Sequence, residues 1–494
     1  MTLRTTSRIP TPRLLYHISQ RPCQLPEPYP SKTLIVREPL KASTTWLRFL
    51  LARLSGTSCV RHFRGCLTQD LTKTLERSST CLGVAERPTP RRARGTGAGG
   101  LDYGFEAAGL ETAVALEMDR DCVRTLRANR RWPVIDKDIL QTSSKEILEA
   151  GGLEKGEPDV LMGGPPCQPF SKSGYWARGD SLRLDDPRAA TLSAYLRVLE
   201  ETLPRTFLLE NVEGLAYEGK DEGLALLLDA ITKINRRTGA RYEPVVGRLN
   251  AADYGVPQLR QRVFVIGSRE GKKLRFPEPT HRDPDEPGLL WDLPPHRTAW
   301  DAIADVTPDP TEALGIQGKW AELLPSIPEG QNYLWHTERY GGLRLFGWRR
   351  RYWSFLLKLA KNRPSWTIQA QPGPAIGPFH WKSRRLSVRE LCRLQTFPDD
   401  VTVTGSRIAQ QRQIGNAVPS LLGEVLAREI RVQLLGLRPL RSALRLMPPD
   451  RSPAPPPERV VPAPPRFREM VGAHEAHPGT GKGTRASARA AAHA

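Results

Sequence analysis

Between about residues 95 and 270 the chain alternates apolar runs of strand length with longer stretches of helical periodicity. Short apolar runs bounded by turn residues predict buried strands, and apolar residues three or four apart predict helices. The predicted strands span residues 112–117, 159–162, 206–210, 242–249 and 262–267. The predicted helices span residues 101–109, 120–129, 192–203 and 224–234, with Asp119 placed to cap the second. This alternation predicts a mostly parallel, doubly wound α/β sheet.

Composition divides the chain into five segments. A chain of 494 residues predicts one large or two modest domains. Residues 95–271 form the predicted catalytic and cofactor domain, residues 272–384 a smaller, irregular domain rich in proline and tryptophan, and residues 385–436 a return to the first domain. Residues 1–94 are atypical, rich in arginine and poor in acids, and we expect them to be disordered or not native to the fold. Residues 437–494 are rich in proline, arginine and alanine and predict a disordered tail.

The formal net charge of +20 indicates a polyanionic partner such as nucleic acid. No apolar run approaches the roughly 18 residues that a membrane span needs, so no membrane association is expected. Seven cysteines are too few for a disulfide scaffold in a chain of this length, which suits a reducing cytoplasm. Cys59, His62, Cys66 and Cys81 match no standard zinc-finger spacing, and no metal is predicted.

A cysteine follows the predicted strand at residues 159–162. Cys167 lies in the turn Gly-Gly-Pro-Pro-Cys-Gln-Pro-Phe-Ser, residues 163–171, which glycine and proline stiffen. Ligands of open α/β sheets bind at the carboxyl ends of the strands, so a thiol at this point predicts a nucleophile. The alternative is a buried structural cysteine. The double proline and the polar Gln168 and Ser171 favour the nucleophile.

A glycine-rich segment, residues 95–100, precedes the first predicted helix, and Glu117 ends the next predicted strand. Glycines at a helix start let backbone N–H groups approach a cofactor, and an acid after the second strand suits ribose hydroxyls. This pattern equally suits a nicotinamide-dependent dehydrogenase. Residues 91–94 are Arg-Arg-Ala-Arg, so no buried strand is predicted before the glycines.

Four further elements carry polar residues at strand and helix ends. Glu210 ends the strand at 206–210 within Glu-Asn-Val, which places a carboxylate at the mouth of a parallel strand. Arg260 and Arg262 alternate in Gln-Leu-Arg-Gln-Arg, so an extended segment gives them a common face. Residues 386–397 predict a helix containing Arg-Glu-Leu-Cys-Arg-Leu-Gln, and residues 413–419 predict a turn before a helix, residues 421–435.

These elements, in this order, resemble the signature blocks of the cytosine-C5 DNA methyltransferases of bacterial restriction–modification systems. The resemblance covers residues 97–435. It implies a Rossmann-like S-adenosylmethionine-dependent methyltransferase fold with a smaller target-recognition domain at 272–384. It implies methyl transfer from S-adenosyl-L-methionine to C5 of a flipped cytosine in a specific double-stranded DNA sequence, through a covalent adduct at Cys167. It further implies a cognate restriction endonuclease acting on the same site, and a bacterial cytoplasmic enzyme associated with the nucleoid.

The resemblance also implies residue roles. Cys167 resembles the nucleophile that adds to C6, Glu210 the acid that contacts N3 and the exocyclic amine, and Arg262 the arginine that reaches O2, with Arg260 nearby. The implied cofactor-binding residues are Gly97, Gly99 and Gly100 at the methionine end, Glu117 at the ribose, Met118, Asp138 and Ile139 at the adenine, Pro166, and Asn416 at a helix start. Residues 171–188 resemble a loop that closes over DNA. Arg344 and residues 349–351 are candidate DNA contacts, whereas most tryptophans of the small domain are predicted to be core.

The match departs from the family at its amino end. Gly95 stands where the family has phenylalanine, and arginines precede it, which predicts loss of a central strand and a replaced segment before residue 95. A DNA-binding pseudo-enzyme with weak cofactor binding is therefore an alternative. An RNA cytosine-5 methyltransferase and a nicotinamide-dependent dehydrogenase are the others.

Overall fold

The computed structural model describes residues 91–95, 97–165, 189–212, 222–286, 292–346 and 353–472, all within one compact unit, Val84–Ala494. Several sequence-based expectations lie outside these residues. They are the expectations for residues 1–90, Pro166, Cys167, the 171–188 loop, the basic residues 349–351 and the chain after residue 472.

Seven strands within the described residues form one sheet in the order β3-β2-β1-β4-β5-β7-β6. In chain order they are β1 (Arg91–Gly95), β2 (Glu111–Glu117), β3 (Val134–Asp136), β4 (Val160–Gly163), β5 (Thr206–Asn211), β6 (Val245–Asn250) and β7 (Gln261–Ser268). β7 runs antiparallel to both β5 and β6, and every other neighbouring pair is parallel. The prediction of a mostly parallel sheet is confirmed.

The helices of the described residues cover the sheet and continue into the second half of the chain. They are α1 (Gly100–Ala107), α2 (Arg120–Asn129), α3 (Ser144–Ala150), α4 (Ala189–Thr202), α5 (Glu222–Thr238), α6 (Ala299–Ile303), α7 (Val388–Leu394), α8 (Arg407–Asn416), α9 (Ser420–Glu429) and α10 (Pro465–Arg468). A π-helical turn, Ile430–Leu434, extends α9. Among these described helices, none has both the length and the apolar character of a membrane span.

Helices pack on both faces of the sheet, as a doubly wound fold requires. Val160 and Met162 of β4 belong to one apolar cluster, whereas Leu161 between them belongs to the other. This alternation follows from the two-residue repeat of a strand. The first cluster includes side chains of α1 and α9, and the second includes side chains of α3, α4 and α5. The predicted fold class is therefore confirmed.

β1 corrects the prediction that no strand precedes the glycines. Its backbone pairs in parallel with β2 on one side and β4 on the other, in the central position that we expected to be lost. β2 and β4 each present a row of backbone N–H and C=O groups that an intervening strand satisfies. This non-local requirement outweighs the poor strand character of an Arg-Arg-Ala-Arg sequence.

The segment 272–384 has little regular structure in its described part. Besides α6 it contains the 3-10 helices Ala321–Ser326 and Tyr333–His336. Trp381 is buried in a cluster that also contains Leu386, so apolar packing crosses the predicted boundary at residue 384. Tryptophans 300, 320, 335 and 353 pack against buried clusters as well, in agreement with a core role. Tryptophans 291 and 348 lie outside the described residues.

Residues 437–472, here called the C-terminal strap, correct the prediction of disorder from residue 437. Near its start, the strap donates the backbone N–H groups of Arg445 and Leu446 to the buried carboxylate of Glu424, at 2.8 and 3.0 Å. Arg428 forms an ion pair with the same carboxylate at 2.7 Å. Both Glu424 and Arg428 belong to α9, so the strap is fixed to the cofactor domain.

The far part of the strap contacts the small domain. Lys361 lies 3.1 Å from Glu329 and 2.9 Å from Glu458 of the strap. Phe467 is buried and its ring stacks on that of Trp320, with the centroids 5.9 Å apart. The strap is ordered because a few well-spaced apolar and charged side chains contact partners in the rest of the chain. The prediction from its proline-rich composition did not take these individual residues into account.

Candidate active site

The glycine segment and α1 form a close-packed turn at the centre of the sheet. Gly99 is the N-cap of α1 and has a left-handed backbone, with φ of 86°, which favours glycine. A Cβ atom at Gly100 would collide with the carbonyl oxygen of Val418. The start of α1 therefore lies directly against the turn that connects α8 and α9, and this contact requires glycine.

Glu117, predicted to bind the ribose, lies at the end of β2 and joins it to the glycine turn. Its Oε2 accepts a hydrogen bond from the N–H of Gly97 at 2.7 Å, and its Oε1 accepts one from the N–H of Asp119 at 2.9 Å. Burial raises the pKa of Glu117. The following residue, Met118, is 61% exposed and offers an apolar surface beside this carboxylate.

Asp138 and Ile139 follow β3. The carboxylate of Asp138 accepts a hydrogen bond from the N–H of Leu140 at 3.0 Å, so it stabilises its own turn. Ile139 is partly buried and lines a small apolar cavity with Leu116 and Tyr195. Ile139 therefore lies beside the buried part of β2, whereas Asp138 lies in the loop above β3.

The described residues fit the methyl donor that the resemblance implies. A nucleoside needs an acceptor for its ribose hydroxyls and an apolar surface for its base, and the partly buried carboxylate of Glu117 and the exposed Met118 can supply these groups. The side-chain-free glycine turn leaves backbone N–H groups near the same strand end. All of these groups lie at the carboxyl ends of the parallel strands β1 and β2, where α/β folds bind nucleotides.

Glu210 and Arg262, both predicted site residues, form an ion pair. They lie on the neighbouring strands β5 and β7, and Arg262 Nε is 2.9 Å from Glu210 Oε1. Both side chains are largely buried. A Cβ atom at Gly164 would lie 3.0 Å from Glu210 Oε2, so glycine makes room for this carboxylate just after β4. The second carboxylate oxygen thus faces Gly164, three residues before Cys167 in the chain.

Arg260 and Arg262, for which the sequence predicted a common face, have different bonding partners. Its buried guanidinium donates to the carbonyl oxygens of Gly415 at 2.8 Å and Ile368 at 3.4 Å. Burial, and secondarily the cation of Arg262, lower the pKa of Arg260. Arg260 therefore holds backbone segments together, whereas Arg262 contacts the carboxylate of Glu210.

Asn416 corrects a prediction about local structure. We expected it at a helix start, but it is the exposed last residue of α8, and α9 begins only at Ser420. Pro419 separates the two helices, and the residue before a proline avoids helical backbone. A Cβ atom at the neighbouring Gly415 would lie 2.5 Å from the Cα of Ala370. The end of α8 is thus packed tightly against the small domain.

Sequence reasoning assigned no role to Gln258 and Gln395, which the structure buries completely. Their side-chain amides are hydrogen-bonded, with 3.1 Å between Gln258 Nε2 and Gln395 Oε1. The sequence signal that could have indicated a role for them is that each amide occupies an otherwise basic motif, Gln-x-Arg-x-Arg or Arg-Leu-Gln. Which amide meets which could not be read from their separation of more than a hundred residues.

Comparisons with known proteins identify similar chains. Residues 96–432 match the family described as C-5 cytosine-specific DNA methylase. The type II methyltransferase M.SacI of Streptomyces achromogenes is 43% identical over 364 residues, which cover 69% of this chain and 92% of that protein. M.AquIA of Picosynechococcus sp. is 40% identical, covering 45% of this chain and 91% of that protein. M1.HphI of Haemophilus parahaemolyticus is 33% identical, covering 68% and 84%.

Proposed function

Because the chain belongs to the C-5 cytosine-specific DNA methylase family, we propose that it modifies cytosine within one specific duplex sequence as part of a restriction–modification system. The chain is a DNA cytosine-5 methyltransferase that uses S-adenosyl-L-methionine, which sets aside the dehydrogenase alternative. The type II names of its relatives support the restriction–modification setting. The proposal includes a cognate endonuclease acting on the same site and a cytoplasmic enzyme associated with the nucleoid, since the chromosome would be its substrate.

The ion pair of Glu210 and Arg262 is the observation that supports the proposed residue roles. Cytosine C5 is a weak nucleophile, and addition of the Cys167 thiolate to C6 makes it reactive. The addition places negative charge on N3 and O2. Glu210 in its protonated form donates a hydrogen bond to N3, and Arg262 donates one to O2. Arg262 holds one oxygen of Glu210, so the other stays directed toward the turn after β4. The cytosine must first leave the duplex, at a cost of a few kcal/mol.

The cofactor residues are proposed on the geometry at the ends of β1 and β2. S-adenosyl-L-methionine supplies the electrophilic methyl group when bound. Glu117 accepts hydrogen bonds from the ribose hydroxyls, Met118 packs on the adenine, and the turn of Gly97, Gly99 and Gly100 adjoins the methionine end. Further proposed cofactor contacts are Asp138, Ile139, Pro166 and Asn416.

Bisulfite sequencing of DNA from a host that expresses the chain tests the proposal. We expect complete protection of cytosine at one position of a short recurring sequence, and none with a Cys167→Ser variant. A duplex with 5-fluorocytosine at that position should form a covalent adduct at Cys167 when the methyl donor is added. Unchanged methylation by Cys167→Ser, or an adduct at another residue, would refute the nucleophile assignment.

The composition of β1 supports one rival, a DNA-binding protein with little cofactor affinity. β1 occupies the centre of the sheet and supports the glycine turn, yet its sequence contains three arginines. Calorimetric titration with S-adenosyl-L-methionine distinguishes the two functions. A folded chain that binds its DNA sequence but not the cofactor would be the pseudo-enzyme.

A further inference from the structure

Gln258 and Gln395 form a buried amide ladder that connects four segments of the chain. Gln258 Nε2 donates to Gln395 Oε1 at 3.1 Å and to the carbonyl oxygen of Leu394 at 3.2 Å. Gln258 Oε1 accepts from the N–H of Ile368 at 3.1 Å. Gln395 Nε2 donates to the carbonyl oxygen of Ile414 at 2.6 Å. The ladder therefore joins the segment before β7, the end of α7, the end of α8 and a segment of the small domain around Ile368, here called the return segment.

Backbone pairing and Arg260 complete the same junction. The N–H of Leu259 donates to the carbonyl oxygen of Ser365 at 2.8 Å, and the N–H of Ser365 donates to that of Pro257 at 2.9 Å. Arg260 then binds carbonyl oxygens of the return segment and of Gly415. Three consecutive residues before β7 are thus fixed by buried contacts, and β7 itself carries Arg262.

We propose that Gln258 and Gln395 are positioning residues, whose amide ladder holds Arg262 at the distance from Glu210 that methyl transfer requires. The proposal rests on the role of Arg262 proposed above. Both glutamines are completely buried and their amides bond other parts of the chain, so each acts through the backbone on which Arg262 and the end of α8 are mounted. Through Ile368, the ladder also connects the placement of Arg262 to the small domain.

The chemistry of the ladder suits this role. Each amide nitrogen uses both of its hydrogens, and each amide oxygen accepts a hydrogen bond, so the buried network leaves no amide group unsatisfied. A satisfied buried network specifies one arrangement, because any shift costs hydrogen bonds in a medium of low dielectric constant. A displacement of about 1 Å at a reacting group can reduce a rate by about 100-fold. Because Arg262 is only four residues from Gln258 in the chain, loss of the ladder can displace Arg262 by such a distance.

The test combines Gln258→Met with Arg262→Ala in a double-mutant cycle on the rate of methyl transfer. Methionine conserves the side-chain volume but removes all three hydrogen bonds of Gln258. We expect each single change to lower kcat by about 100-fold, with little effect on the affinity for S-adenosyl-L-methionine. We expect the double variant to be no slower than Arg262→Ala, because the ladder acts through Arg262.

Gln413→Met is the matched control. Gln413 is also a buried glutamine of α8, but its amide bonds Thr125 and Thr404, away from the ladder. We expect Gln413→Met to lower the melting temperature about as much as Gln258→Met does, but to have only a small effect on kcat. In combination with Arg262→Ala, the two fold-reductions of kcat should multiply. Full activity of Gln258→Met, multiplicative effects of Gln258→Met and Arg262→Ala, or full activity of Arg262→Ala would each overturn the proposal.

Hydrogen exchange tests the ladder independently of catalysis. In Gln258→Met we expect faster exchange in residues 258–262, 366–370 and 413–417, whereas Gln413→Met should leave the first two unchanged. If wild-type protein transferred no methyl group, the proposed function would fail, and these exchange patterns would still decide whether the ladder fixes the segment of Arg262. Unchanged exchange in all three segments of Gln258→Met would overturn the inference by itself.

Discussion

At Glu117, two backbone N–H groups donate hydrogen bonds to the carboxylate, whereas burial disfavours its negative charge. Burial is the main cause of its raised pKa, and the hydrogen bonds from Asp119 and Gly97 oppose that effect. The ionised form, which accepts hydrogen bonds from hydroxyl groups, is therefore lost at a higher pH than in a solvated glutamate. With the proposed role of Glu117, this balance links cofactor binding to pH through a single residue.

We expect the affinity for S-adenosyl-L-methionine to fall on acidification at a higher pH than an ordinary glutamate would cause. The pKa of Glu117 is raised, so the ionised acceptor form is present above that pKa and is lost as the pH falls through it. Calorimetric titration between pH 8 and pH 5 measures the effect, at roughly unit pH intervals. Glu117→Gln should bind about tenfold more weakly at pH 8 and show little pH dependence, and an equally steep profile in that variant would exclude Glu117 as the titrating group.

The structure brings together two residues that the sequence singled out. The pattern of each motif pointed to Glu210 and Arg262 without any structure, because both follow or begin strands whose apolar cores are local in sequence. Their ion pair was not predicted, because it depends on the antiparallel pairing of β5 with β7. The position of Cys167 relative to them stays a prediction.

At the scale of elements, β1 carries an unusual sequence for its position. The residues of β2 and β4 that pair with Arg92 and Arg94 include the buried Val160 and Met162, which belong to an apolar cluster. Central strands of parallel sheets are normally near-continuous apolar runs. An arginine in such a strand must find a partner or reach water, and either requirement costs stability.

Replacing Arg92 and Arg94 with valine should therefore stabilise the protein. We expect the melting temperature to rise by roughly 5 °C or more, and the affinity for S-adenosyl-L-methionine to improve, because β1 leads into the glycine turn. Differential scanning fluorimetry and calorimetric titration measure the two effects. Arg124→Val on the exposed face of α2 is the control and should not stabilise. A lower melting temperature in the double valine variant would show that the arginines support the strand.

Elements with local signals were predicted well. α2 spans Arg120–Asn129 as expected, and the Asp119 side chain accepts hydrogen bonds from the N–H groups of Asp121 and Cys122. Capping and periodicity act within a few residues, so sequence reveals them. β1 and the position of Asn416 were missed because each depends on distant partners: the edges of β2 and β4 in one case, and the packing of α8 against the small domain in the other.

At the scale of the molecule, the C-terminal strap connects the cofactor domain with the small domain. It contacts α9 through Glu424, then α6, where the N–H of Arg451 donates to the Asp301 carboxylate at 2.7 Å. It ends on the aromatic cluster of the small domain through Phe467. The family match ends at residue 432, before the strap begins. A tie of this kind restricts the movement of the small domain relative to the site that Glu210 and Arg262 form.

Removing the strap should weaken both stability and DNA binding. Truncation after Gly436 exposes the apolar surface under the strap and leaves the buried carboxylate of Glu424 without its backbone donors, so we expect the melting temperature to fall by at least about 10 °C. Phe467→Ala alone should cost about 3–5 kcal/mol, because it empties a packed aromatic site. Truncation after Gly472 keeps every strap contact described above and serves as the control.

A measurement of DNA affinity shows whether the strap orients the small domain or only stabilises the fold. At a temperature where both truncated proteins are folded, the protein ending at Gly436 should bind its recognition duplex more weakly than the protein ending at Gly472, because its small domain samples more orientations. Fluorescence anisotropy on one labelled duplex, at a fixed salt concentration, gives the comparison. Equal affinities together with a lowered melting temperature would mean that the strap stabilises the fold without orienting the small domain.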